Sequence, residues 1–187
     1  MTKRTLFWII LLVMIELLTS SSCKSEPLST TTVRGFSTLD LLIGVSDMPE
    51  GWQVWTEPHQ FNELGTVDAA TISFISGANV SRNLASFAIY NFGTSEEALR
   101  VFNKMFVPRV KGNPPVEWVP PGVSAGQDAM GCYDYEGREP LACEWSAQYE
   151  EFVVQFNTWL IPGYMSLNQL EKIIMTIDNR MIVHLDD

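Results

Sequence analysis

CEWSAQYEEFVVQFNT, Cys143–Thr158, holds the clearest structural signal in this 187-residue chain. Cys143, Trp145, Ala147 and Tyr149 alternate with Glu144, Ser146, Gln148 and Glu150. Past a tight turn at Glu150-Glu151, Phe152, Val154, Phe156 and Thr158 alternate with Val153, Gln155 and Asn157. A period of two marks a strand with one face toward a core. Folding the segment about its turn sets Tyr149 against Phe152, Ala147 against Val154 and Trp145 against Phe156, all on one face. A one-residue slip would send one strand's apolar set to the wrong side, so the pattern specifies its own register.

Upstream, Ala129–Trp145 reads as a second hairpin with its turn near Glu136–Pro140. Reflection about that turn sets Cys132 opposite Cys143, on the face that carries Trp145 and Phe156. Opposed residues in a non-hydrogen-bonded pair lie about 4.5 Å apart at Cα, within bridging reach. The two cysteines are therefore expected to form a buried disulfide, the alternative being two buried thiols. Closing so short a loop stabilises by about 3 kcal/mol at most.

Further strands are expected near residues 52–57, 69–76, 84–92 and 127–135. Thr94-Ser-Glu-Glu97 has the form of a capping box, and Ala98, Leu99, Val101, Phe102, Met105 and Phe106 follow it as a helical stripe. Ser166-Leu-Asn-Gln169 is a second box. Its stripe is Leu167, Leu170, Ile173, Ile174, Ile177 and Met181, with Glu171, Lys172, Asp178 and Arg180 expected on the wet side. Ser37–Ile43 reads as a short helix stopped by Gly44, and Asp47–Gly51 as a turn. A run of strands, a helix, three more strands and a closing helix predicts an α+β fold. It would have a mainly antiparallel sheet of five to six strands packed against two amphipathic helices.

The N-terminus reads as an address. Lys3 and Arg4 precede an apolar run, Leu6–Ile15, and Thr19–Ser22 are small. These are the parts of an export signal over residues 1–22. The apolar run is about ten residues long, short of the ~20 that span a membrane. Cys23 ends the stretch and resembles the lipidated cysteine of bacterial lipoproteins, although Ser20 stands where that pattern prefers Leu. Ordinary cleavage after Ser22 and an uncleaved anchor are the other readings. Residues 23–36 read as a flexible tether reaching about 20 Å, and residues 37–187 as one α+β domain. With Cys23 lipidated, Cys132 and Cys143 remain as an even pair in an oxidising compartment. The net charge is −10, which disfavours nucleic acid as a partner.

Candidate chemistry is sparse. Gly122-Val-Ser124-Ala-Gly126 matches the nucleophile-elbow pattern, and Asp178 and His184 follow in hydrolase order. Pro120-Pro121 precede the serine where the elbow needs a strand, and no helix follows, so Ser124 reads as a loop serine. His59 and Glu63 have i, i+4 spacing in a segment that reads as a loop, too few ligands for zinc. Asp134–Glu139 lacks calcium-loop spacing, and no phosphate-cradling or dinucleotide motif is present. No metal or cofactor is expected. Asn79-Val-Ser81 matches a glycosylation acceptor. Trp52, Trp55, Trp118, Tyr133 and Tyr135 are candidates for an aromatic cleft. Of these Trp52 is expected in the core, as is Trp145, leaving Trp55, Trp118 and Tyr135 as the candidate binding surface. The proline-rich connection Val107–Gly122 is the first candidate contact surface.

Several stretches together resemble small exported bacterial domains: PsbP-like proteins, the extracellular sensor domains of actinobacterial serine/threonine kinases, and related lipoproteins. They are Leu41-Leu through Asp47-Met-Pro-Glu-Gly-Trp52, Thr94-Ser-Glu-Glu-Ala98, Cys143-Glu-Trp145 with Phe152-Val-Val154, and Leu170-Glu-Lys-Ile-Ile174 through Asp178-Asn-Arg180. The resemblance covers about residues 38–185 and carries over no active-site residue. It implies a non-catalytic accessory, assembly or sensing module. The expectation is a membrane-tethered extracytoplasmic binding module with a protein partner. A small-ligand sensor with an aromatic cleft is the alternative, and an exported hydrolase is third.

Overall fold

The computed structural model describes residues 34–63, 65–77, 83–110, 112, 121–134 and 141–186, all within one compact unit. Six strands form one open, fully antiparallel sheet: β1 (Trp52–Gln60), β2 (Asp68–Ser76), β3 (Asn83–Asn91), β4 (Gln127–Asp134), β5 (Leu141–Tyr149) and β6 (Phe152–Leu160). Their spatial order is β1-β2-β3-β6-β5-β4. Two three-strand meanders therefore meet at β3 and β6. Helix α1 (Ser95–Val101) links the meanders and continues into a π-helical turn, Phe102–Phe106; α2 (Leu167–Leu185) closes the chain. The expected α+β class and antiparallel sheet are present.

The Cys143–Thr158 hairpin has the register its alternation dictates, pairing Tyr149 with Phe152, Ala147 with Val154 and Trp145 with Phe156. Glu150 takes a positive φ of 46° in the turn. Cys132 pairs with Cys143 across β4 and β5, and the two are disulfide-bonded with Cα atoms 4.1 Å apart. The Glu136–Pro140 turn between them lies outside the described residues.

One face of the sheet is a continuous apolar layer. Ile72, Phe74, Phe87, Ile89, Trp145, Val154 and Phe156 are buried there, beneath Leu170, Ile173, Ile174, Ile177 and Met181 of α2. Each such burial contributes roughly 1.5–3 kcal/mol. The N-terminus of α2 is closed by its predicted box: Ser166 Oγ accepts from the Gln169 amide, and Gln169 Oε1 accepts from the Ser166 amide. Ser37–Ile43 is a 3-10 turn, Thr38–Leu41, capped by Ser37 and Asp40, and it delivers Leu41, Leu42 and Ile43 to the same core. One expectation is corrected here. Asp178 is 2% exposed rather than on the wet side of α2. It stands one turn after Ile174, so the helical period carries it onto the buried stripe. Arg180 is also engaged, donating to the Leu42 carbonyl and to Asp47.

The opposite face is only partly covered. Ala98, Val101, Phe102 and Phe106 of α1 and its π turn pack with Phe92 and Val153, beside Tyr90 and Ala129. The predicted stripe is narrower than expected, because Leu99 and Met105 lie at its exposed margins. The π turn adds a residue to the local repeat and so shifts the phase of the side chains that follow. Thr94 caps α1 by accepting from the Glu97 amide, but Glu97 turns to Arg100 instead of completing a box.

Candidate functional site

Beyond the reach of α1, the second face forms a groove of about 460 Å³ to which all six strands contribute. Its floor follows from strand parity. Ser73 pairs with Ser86, Ser86 with Asn157, and Asn157 with Glu144, so one row of polar side chains crosses the sheet. Gln155 Nε2 donates to Glu144 Oε1 at 2.6 Å, and Asn157 Nδ2 to Ser86 Oγ at 3.5 Å. Among the described residues that line the groove, Glu144 alone is charged.

The walls are aromatic. Along the next row Ala142 pairs with Trp159 on β6 and with Tyr133 on β4, so a small side chain sits between two rings. At the far edge Trp55 is 57% exposed beside Leu84. A bulge shapes that edge. Val54 pairs with Phe74 and Thr56 with Ser73, which makes Trp55 an extra residue in β1. The bulge turns Trp55 and Thr56 together toward the groove. β1 runs past its expected end through Pro58, which an edge strand tolerates because its missing N–H faces no ladder partner. His59 accordingly lies in β1 rather than in a loop.

Of the three aromatics expected to form a binding surface, Trp55 stands at the groove, while Trp118 and Tyr135 lie outside the described residues, as do Cys23 and Asn79–Ser81. Tyr133, an original cleft candidate, lines it. Trp52 and Trp145 are core residues, 5% and 1% exposed. Sequence reasoning missed Trp159 and Glu144. Both were in phase with the polar sets of their strands, Trp159 with Gln155 and Asn157, and Glu144 with Ser146 and Gln148, which places them on the face opposite the core. The 107–122 connection comes to this region at Gly112. A Cβ there would stand 1.9 Å from the Cys132 carbonyl oxygen and 3.2 Å from the Tyr133 Cβ, and its φ is +76°. Only glycine allows so close an approach to β4.

Ser124, Asp178 and His184 are arranged structurally. Asp178 Oδ1 accepts from the Ser124 backbone amide at 2.7 Å and from the Tyr149 hydroxyl at 2.8 Å. It thus pins the loop before β4 to α2. Burial first, and the bond to Asp178 second, push the Tyr149 phenol well above its ordinary value. His184 Nδ1 lies 2.9 Å from the Arg180 carbonyl, and its ring meets Phe36 edge-on. His59 Nδ1 contacts the Glu57 carbonyl. Among the described residues, no group of three or more His, Cys, Asp or Glu is gathered as for a metal.

The end of the sheet opposite the groove fastens the chain's entry. Arg34 donates to Glu151 at 2.7 Å, to Glu150, and to the Leu185 carbonyl. Its guanidinium is held above its ordinary value, mainly by the hydrogen bond to Glu151. Phe36 stacks on Phe152. Trp159 is seven residues along β6 from Phe152, about 23 Å at strand rise. No protein-family model, no curated protein and no solved structure matches this chain.

Proposed function

We propose that the protein is a membrane-tethered extracytoplasmic binding module that holds a segment of a partner protein in the aromatic groove. The observation that carries this is the form of the site. It is open, crosses every strand, and joins aromatic walls to a polar floor, which suits an extended segment better than an enclosed small molecule. The loop first singled out as a contact surface approaches β4 beside it at Gly112. The disulfide is compatible with an oxidising compartment. Among the described residues no helix is long and apolar enough to cross a membrane. The resemblance to exported accessory domains points the same way.

The test has two arms. Palmitate labelling of the expressed full chain should be lost in Cys23→Ala; equal labelling would remove the lipid anchor. Crosslinking in native membranes should yield a partner that wild type and Lys172→Trp (on α2, far from the groove) retain. Ser86→Trp, which fills the groove floor, should lose it with an unchanged melting temperature. Retention by Ser86→Trp would refute the groove as the contact.

A further inference from the structure

Four of the chain's 12 basic residues, Arg100, Lys104, Arg109 and Lys111, fall between Glu97 and Glu117, where no Asp or Glu stands. This stretch includes α1 and its π turn, Phe102–Phe106. Ala98, Val101, Phe102 and Phe106 turn one side of it onto the sheet. Along the rest, the large apolar side chains of Leu99, Met105 and Val107 are exposed. Arg100 is paired with Glu97, whereas Lys104 and Arg109 are exposed and in no ion pair among the described residues. In a chain of net charge −10 this is a positive island rimmed by apolar side chains. Its field acts locally, because charges more than about 8–10 Å away are largely screened at physiological salt.

Exposed basic and apolar side chains on one short amphipathic element suit an anionic bilayer surface. The ammonium and guanidinium heads reach lipid phosphates, while the flanking apolar side chains enter the boundary between headgroups and acyl chains. An acidic protein segment would satisfy the charges, but it gives no reason for three apolar side chains beside them. The path of the chain agrees. Phe92, on which α1 packs, donates its amide to the Glu151 carbonyl, and Arg34 is held at Glu151. The residues that precede Arg34, the rest of the proposed tether among them, therefore join the domain beside α1. Resting on that tether but not on the groove, we infer that α1 and its π turn lie against a membrane surface rich in anionic headgroups, with Lys104 and Arg109 bonding phosphates and Leu99, Met105 and Val107 inserted.

The test places an environment-sensitive fluorophore on the full-length chain at Val107→Cys, in a Cys23→Ala background so that this position alone is labelled. Vesicles of phosphatidylcholine with phosphatidylglycerol should shift its emission to the blue, and vesicles of phosphatidylcholine alone should not. The same label at Lys172→Cys on α2 should respond to neither. Lys104→Gln with Arg109→Gln should weaken the affinity about thirtyfold, at about fivefold per charge, with an unchanged melting temperature. Added salt should weaken it as well. Leu99→Ser with Met105→Ser should lower the affinity while keeping the salt dependence. Equal responses to the two kinds of vesicle, an undiminished response after the Gln replacements, or an equal one at Lys172 would overturn the inference. A shift induced by polyglutamate and not by vesicles would overturn the assignment to lipid in favour of an acidic protein segment. The tether fails separately. Palmitate labelling unchanged by Cys23→Ala, with the vesicle response intact, removes the lipid anchor and leaves this surface, while loss of the label without any vesicle response does the reverse.

Discussion

The two faces of the sheet are built from alternate residues of the same strands, yet they do opposite work. On β6, Phe152, Val154 and Phe156 point into the core and are at most 1% exposed. Gln155, Asn157 and Trp159, at the alternate positions, belong to the other face. Within β6, Val153 is the exception on that second face: it is fully buried because α1 lands on it. The first face is closed by a long, regular helix that covers the centre of the sheet. Among the described residues the second is covered at one end by a short helix and a π turn, and the groove lies beyond them. The groove needs no separate element, since among the described residues it is formed by the part of this face that α1 does not reach.

That contrast can be broken at its centre. Phe156→Ala should cost about 3–5 kcal/mol, whereas Asn157→Ala beside it should change stability by less than about 1 kcal/mol while weakening partner binding. Urea melts of both decide this, and similar losses would mean that the second face also carries the fold. Next in size is the disulfide on the core face. Replacing Cys132 and Cys143 by Ala should destabilise by up to about 3 kcal/mol without changing the far-UV spectrum. Two free thiols found by mass spectrometry of the native protein would contradict the bond.

Asp178 sharpens the comparison, because it is a buried carboxylate on the covered side. Asp178→Ala leaves the Ser124 amide and the Tyr149 hydroxyl without their acceptor and should cost about 1–3 kcal/mol. Tyr149 adds a pH signature. Its phenol titrates higher in the folded protein than the unfolded value of about 10. Its contribution is therefore complete below about pH 10 and is lost as pH rises beyond that, where the native state holds the proton more tightly than the unfolded chain. Tyr149→Phe should flatten the fall in stability between pH 9 and 11, and an unchanged slope would assign that fall to other groups. The smallest effect is expected at the groove's edge, where Trp55→Ser should change stability by no more than about 0.5 kcal/mol.

Much of this was legible in the chain. The hairpin register and the Cys132–Cys143 pair followed from period-two alternation and a short turn, both local features that little else overrides. The α2 cap and stripe followed from a box and a 3.6-residue period. The groove is legible in the sequence only in part: Trp55 and Tyr133 stand out as aromatic cleft candidates, whereas Trp159 and Glu144 fall in phase with the polar sets of their strands. Asp178 is buried despite its charge, because its place on the helical wheel, one turn after Ile174, outweighs its side-chain type.

What the sequence by itself determined is which residues of each strand share a face, because side-chain direction in a strand depends only on position along it. Tertiary structure alone decided which face is covered and how far. That depends on where a helix lands after a crossover, on the order that places β6 between β3 and β5, and on the β1 bulge that turns Trp55 inward. These are contacts between residues distant in sequence, and their sum brings Trp159, Ala142, Tyr133 and Glu144 together on the second face.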